Sequence, residues 1–177
     1  MKPKRTMAGQ MVIFLGHDEG WHFVGKTLRD GTPVPRDGVW LKYKGPLVMC
    51  QSGLHWSRDP FDALTYAPGN ILCQIEARGD TLHDTDKSVS RERRIIRRRD
   101  ATEMLRFFAR HCALSVIHLY PNGTDDVVFD YLMTGDGAAS AAWAASAASA
   151  AWAASAARAA SAAQRKYFNQ LVNECFQ

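Results

Sequence analysis

Two stretches of the chain concentrate side chains able to do chemistry. The first is GPLVMCQSGLHWSRDPFDALTYAPGNILCQIEARGD, residues 45–80. Its turn signal, Ser52-Gly53, delivers Leu54-His55-Trp56, so an imidazole, the group whose charge changes nearest neutral pH, emerges just after a glycine and beside an aromatic. Two readings of His55 stand side by side: a histidine satisfied in the core or on the surface, and a group of a binding or catalytic site. The second stretch is RERRIIRRR, which carries Arg91, Arg93, Arg94, Arg97, Arg98 and Arg99. Closely spaced guanidinium forks can neutralise several phosphates and match their geometry. The alternative is a solvated helix or strand face with Ile95 and Ile96 as its buried side. No aromatic interleaves with the arginines, so base stacking is not indicated. Nucleic acid, a smaller phosphate-bearing ligand and an acidic protein surface all fit as partners.

Other chemistries lack their residues. Asp84 and Asp86 stand beside Lys87 and the arginine run, and the six histidines show no HxxxH or Cys/His spacing, so no metal site is expected. The sequence contains no Walker loop, no GxSxG and no dinucleotide GxGxxG, which removes kinase, classical hydrolase and Rossmann readings. Cys50, Cys73, Cys112 and Cys175 are widely spread with no CxxC and sit in apolar company, which implies reduced thiols in a cytoplasm.

The elements that must position these residues follow from composition and periodicity. With 46% hydrophobic and 23% charged residues in 177, the chain is long enough for one domain with an appendage, and is neither wholly disordered nor collagen-like. The formal charge is +4, but residues 87–99 alone carry +6, leaving the remainder at −2. The patch is basic, not the protein. Up to about Asp86, apolar runs (Met11 to Leu15, Trp21 to Val24, Leu47 to Cys50, Ile71 to Ile75) alternate with Asp-Gly, Gly-Pro and Pro-Gly pairs, the pattern of strands and turns. Pro60 opens a short helix through FDALTYA. Asp100 with Glu103 starts a helix of the capping-box kind, on which Met104, Leu105, Phe108, Cys112 and Val116 share one face. A second helix, or a strand, runs from about Asp125 to Leu132 and is closed by Gly135.

From Gly137 the chain becomes an Ala-Ala-X repeat, read as a long helix in which Trp143 and Trp152 face opposite sides. They are assigned as interface anchors, the alternative being packing within one chain. At the C-terminus Tyr167, Phe168, Leu171, Val172, Cys175 and Phe176 form an apolar stripe that docks on the chain's own core or on a partner. The expected architecture is α+β: a small antiparallel sheet domain with packed helices over residues 1–134, and over 135–177 a long Ala-rich helix with an amphipathic end. Met11 to Leu15 is too short for a secretory signal. Residues 137–157 lack Leu, Ile, Val and Phe and insert poorly in a bilayer, so no membrane partner is expected and the cytoplasm is the implied location.

Residues 21–120 resemble an uncharacterised family encoded in phages and prophages, whose pattern of Cys, Gly, Leu or Phe, His, a small residue and Ser, then Pro-x-Asp-Ala-Leu-x-Tyr, is met by Cys50, Gly53, Leu54, His55, Ser57, Pro60, Asp62, Ala63, Leu64 and Tyr66. The resemblance implies a phage accessory protein acting on a host macromolecule in the host cytoplasm.

More distantly, Gly53, Leu54, His55, Ser57, Ala63, Tyr66 and Gly79 are similar to the nucleotide-binding segment of ADP-ribosyltransferases. This likeness implies NAD as substrate in a split-sheet cleft. His55 would take the position that stacks on nicotinamide, His22 or Lys26 of WHFVGKT would hold the adjacent ribose, and Tyr66 would complete the catalytic group. His55 stands where most of that family carries Tyr. Glu92 and Glu103 follow in the order of the family's downstream Glu, which steadies an oxocarbenium-like cation, whereas Glu76 falls on the wrong strand. Whether the chain is an enzyme stays open. The other reading is a non-catalytic inhibitor that binds a host defence protein or nucleic acid through the arginine run and the Ala-rich helix, with a second copy of the chain as a further partner.

Overall fold

The computed structural model describes residues 17–119, 126–135 and 161–177. The fold is α+β, with a five-stranded antiparallel sheet and, among the described residues, four α-helices. The strands are β1 (Asp18–Val24), β2 (Leu41–Lys42), β3 (Leu54–Trp56), β4 (Ile71–His83) and β5 (Ser88–Asp100). The helices are α1 (Pro60–Thr65), α2 (Thr102–Val116), α3 (Asp126–Thr134) and α4 (Ser161–Cys175), with a short 3-10 turn, Ile117–Leu119, after α2. The described residues fall into two compact units, those up to Ala101 together with Cys175–Gln177, and those from Thr102 to Glu174.

In the first unit β4 and β5 form a long hairpin closed by residues 84–87, where the Asp84 N–H donates to the Lys87 carbonyl at 2.8 Å. β1 pairs with the outer edge of β4, while β3 and β2 share the outer edge of β5, at Ser88–Ser90 and at Glu92 and Arg93. Two bulges bend the hairpin. At one, β5 skips Ile96 between the pairs Gln74–Arg97 and Ile75–Ile95; at the other, Gly79 takes a left-handed φ of +80° between Arg78 and Thr81. The bent sheet returns on itself, because Trp21 of β1 and Ser57, just past β3, exchange backbone hydrogen bonds of 2.7 and 2.9 Å. Inside the curl lie Val24, Trp56, Cys73, Ile75, Ala77 and Ile95, with Val34 and Ile71 packed against them. Burial of the larger of these, Val24, Ile75 and Ile95, contributes roughly 1.5–3 kcal/mol each. Gly20 is required here: a β-carbon at its position would lie 2.6 Å from the Ser57 carbonyl oxygen and inside the Trp56 ring's contact distance.

α1 begins as read, with Pro60 at its first position and the Asp59 carboxylate accepting from the Phe61 N–H at 2.8 Å. In the second unit Phe108 of α2 meets Phe168 of α4 edge-on at 4.9 Å, and His111 lies 4.1 Å from the Tyr167 ring. α3 settles the helix-or-strand alternative in favour of helix, and Gly135, at φ +77°, ends it by donating its N–H to the Tyr131 carbonyl.

Several expectations are corrected. Leu47 to Cys50 is not a strand: Val48 and Ser52 close a tight turn whose tip carries Cys50 at φ +64°. The arginine run takes the strand alternative, but of the two isoleucines expected on its buried side only Ile95 is buried; Ile96 is 40% exposed, because the bulge turns it out. The two compact units divide after Ala101, and within the second α2 finds aromatic partners on α4. Asp100 closes β5, and α2 starts at Thr102. In the terminal stripe Phe168, Val172 and Phe176 are buried, four residues apart, but Cys175 is exposed. The segment from Met11 to Leu15 and the Ala-rich repeat with Trp143 and Trp152 lie outside the described residues.

Candidate functional site

Alternation along β5 divides the arginine run between two sides of the hairpin. Cross-strand partners share a side, so Arg94, Arg97 and Arg99 stand with Glu76, Gln74 and Leu72, while Arg93, Ile95 and Arg98 stand with Ala77, Ile75 and Cys73. On the first side nearly every charge has a built partner. Arg94 binds Glu76 through two nitrogens at 2.5 and 2.6 Å, Arg97 donates to the Gln74 side-chain carbonyl at 2.8 Å, and Arg78 grips Glu92 at 2.8 Å. The Trp40 ring takes Arg78 at 3.9 Å and Arg94 at 4.8 Å over its face, and Phe176 takes Arg97 and Arg99. Arg91 is held by Asp80 and the Gly45 carbonyl, and Arg98 by Asp37 and the Pro35 carbonyl. The six guanidinium groups do not line one open phosphate-binding face, because they serve both sides of a strand and most are taken up by cross-strand and loop acceptors.

On the inner side the structure brings together His22, His55 and Arg93. β1 places His22 opposite Cys73, and Arg93 of β5 reaches across to the His55 carbonyl as donor. His22 and His55 are half-buried as residues, the His22 imidazole almost wholly buried, and Arg93 is 4% exposed. Burial first, then the positive charge of Arg93 and the neighbouring His55, hold His22 well below the ordinary imidazole range. Burial also lowers His55; a hydrogen bond to the Gly53 backbone opposes this, and Arg93, Arg29 and Lys87 reinforce it. The His55 Nε2 accepts from the Cys50 N–H at 3.0 Å, so the neutral ring carries its proton on Nδ1. Burial also lowers Arg93, to about 10, and raises the Cys73 thiol to about 11.

A second group adjoins this one through the Cys50 turn. Tyr66 hydroxyl donates to the Asp86 carboxylate and accepts from Lys87 Nζ at 3.1 Å, and the ammonium lies 4.8 Å from the Tyr66 ring centre. Lys87 also hydrogen-bonds the Cys50 side chain; these bonds, that to Tyr66 above all, raise its proton affinity, while the bond to Asp86 raises that of Tyr66. At the hairpin end His83 Nδ1 meets Ser88 Oγ at 2.8 Å, its Nε2 meets Arg58 at 3.2 Å, and its ring stands edge-on to Trp56.

Of the residues singled out in the sequence, His22 and His55 are neighbours, Tyr66 is joined to His55 through Lys87 and Cys50, and Lys26 is exposed beyond the end of β1. The three glutamates stand elsewhere: Glu76 and Glu92 pair with arginines on the other side of the hairpin, and Glu103 pairs with Arg106 on α2. The sequence reading passed over Lys87 and Asp86 as partners of Tyr66, because only the hairpin turn brings them to α1. It also treated Arg93 as one of six equals, although its spacing of two from Ile95 would place both on one side of a strand. Among the described residues no group of His, Cys, Asp and Glu is arranged to hold a metal ion, and no helix is long and apolar enough to cross a membrane.

These features define a small curled-sheet domain with a cationic, imidazole-bearing inner site. Residues 19–107, half of the chain, match a family model described as a domain of unknown function, DUF7666, and the chain belongs to that family. No curated protein and no solved structure matches it.

Proposed function

We propose that the inner site binds NAD and that the chain, a phage accessory protein, transfers ADP-ribose to a host macromolecule in the cytoplasm. The observation that supports this reading is the meeting of His22 and His55, from strands far apart in sequence, beside Arg93. Held neutral, the His55 ring can stack on a cationic nicotinamide without charge repulsion, and His22 can hydrogen-bond the adjoining ribose. Lys87, Arg29 and Arg93 supply the positive field that a pyrophosphate needs. Cleaving the nicotinamide–ribose bond develops positive charge on the sugar, which an anion must steady.

The placement of Glu76, Glu92 and Glu103 favours a second reading, in which the site binds without transferring and the chain inhibits a host protein or nucleic-acid complex stoichiometrically. Incubation of the full chain with labelled NAD and host lysate separates the two. Label transferred to a lysate component and abolished by His55→Ala supports transfer. NAD binding that His55→Ala weakens, without label transfer, supports the binding module, and absence of NAD binding at millimolar concentration overturns the NAD site.

A further inference from the structure

We propose that Arg93 is the anion-holding residue of the inner site and that its ligand presents a phosphate-type oxyanion, the pyrophosphate in the nucleotide reading above. The inference rests on that reading for the nucleotide, and on the surroundings of Arg93 for the anion. A guanidinium has five N–H donors and no means of losing its charge near neutral pH. Arg93 is 4% exposed, and among the described residues its side chain makes one hydrogen bond, to the His55 carbonyl, and has no carboxylate within ion-pair distance. Of the other hairpin arginines, Arg78, Arg91, Arg94 and Arg98 have carboxylates and Arg97 has an amide oxygen, while Arg99, which has only the Cys175 and Arg98 carbonyls, is exposed to water and so differs from Arg93 in burial.

A buried charge with one neutral acceptor is costly, and folded proteins keep such charges paired or bound. Neighbours make the shortage sharper: the flanking His22 and His55 are neutral, Cys73 is held as the thiol by burial, and Trp56 Nε1 of the same interior is a donor without an acceptor among the described residues. The interior therefore has donors to spare and lacks an anion. His55, whose carbonyl accepts from Arg93, is half-buried and so borders solvent. A planar fork suits two oxygens of one phosphate group, and desolvation at this depth strengthens the bond.

The test is thermal melting of the full chain with inorganic pyrophosphate or ADP-ribose, on the wild type, Arg93→Met, Arg93→Lys and, as a control from the outer side, Arg94→Met. Both ligands should raise the wild-type melting temperature. Arg93→Met should bind them about tenfold to a hundredfold more weakly, the loss expected for charge-assisted bonds. Arg93→Lys should fall between, and Arg94→Met should bind as the wild type does. Without ligand, Arg93→Met should melt at or above the wild type, since an apolar chain of similar length replaces a lone buried charge.

If Arg93 serves only to tie β3 to β5 through the His55 carbonyl, Arg93→Met melts lower yet keeps its affinity, and the proposal is overturned. Should Arg93→Met not fold, equal affinity of Arg93→Lys and wild type overturns it. A wild type that neither ligand stabilises overturns it as well. Failure of the transferase reading is distinct: Arg93-dependent pyrophosphate binding with no NAD consumption sinks transfer and keeps the anion site, whereas NAD consumption undiminished in Arg93→Met sinks the anion site alone.

Discussion

Arg93 and Arg94 are adjacent in sequence and meet opposite electrostatic fates. Arg94 lies on the outer side of the hairpin, doubly bonded to Glu76 and stacked on Trp40; Arg93 lies on the inner side, buried and bonded to one carbonyl. The outer side is a finished ladder in which cations, carboxylates and aromatic faces satisfy one another, and it needs no ligand. The inner side is apolar packing interrupted by two imidazoles and a charge. A basic run on a strand is thus two surfaces, and its net charge describes neither.

The largest effect tests how tightly the inner side is packed. Gly20→Ala places a β-carbon 2.6 Å from the Ser57 carbonyl oxygen and against the Trp56 ring, at the point where β1 and the chain beyond β3 join. Backbone cannot retreat there without breaking the Trp21–Ser57 pair, so a loss of about 3 kcal/mol is expected in urea unfolding. A variant with wild-type stability would mean that the curl is looser than its contacts require.

The next effect contrasts the two sides directly. Arg94→Met leaves Glu76, 9% exposed, without its guanidinium, and should cost about 2 kcal/mol, below the range for fully buried pairs because Arg94 is partly exposed. Arg93→Met should leave the ligand-free protein at least as stable as the wild type. Equal losses for the two variants, by equilibrium unfolding, would remove the distinction between the sides.

How much of this was legible in the sequence depends on whether the signal is local. The strand around Trp21 to Val24, the α1 start at Pro60, the α3 stop at Gly135 and the three buried aromatic and aliphatic positions of the terminal stripe each follow from a few adjacent residues. The apolar run Ile71 to Ile75 marks only the first part of β4; its continuation to His83 passes through a left-handed glycine, Gly79, which sits in a bulge, and only pairing with β5 shows it. His55 is singled out by its turn and His22 by a resemblance, but their proximity comes from the curl of the sheet. Tyr66 likewise gains its partners Asp86 and Lys87 from a hairpin turn that no local pattern connects to α1.

A third expectation follows from the neutral imidazoles of the inner side. His22 binds a proton less tightly in the folded chain than an unfolded histidine, whose pKa is about 6.5. As pH falls through that value the unfolded state takes up the proton first, so the unfolded state binds more protons and stability declines with acidification. His55 and His83 are lowered as well and act with the same sign. The urea midpoint should therefore drop between pH 7.5 and pH 5.5, before carboxylates titrate, and His22→Gln should flatten that slope. A midpoint that rises over this interval would place a charged, stabilised histidine on the inner side and reverse its assignment.

The smallest effect concerns the loop that Arg98 ties down. Arg98 shares the inner side's strand parity with Arg93, yet its guanidinium emerges to meet Asp37 and donates to the Pro35 carbonyl at 2.6 Å, so it resembles the outer arginines in being paired. Its side chain is 31% exposed and that of Asp37 41%, which allows water to replace a lost carboxylate. Asp37→Ala should then cost only about 0.5 kcal/mol, within the range of exposed ion pairs, and less at high salt. The Pro35 carbonyl bond remains in that variant and should keep Val34 against Ile75 and its neighbours. A loss several times larger, measured by urea unfolding at low and high salt, would show that burial at Arg98 counts for more than its exposure indicates, and would move it to Arg93's side of the comparison.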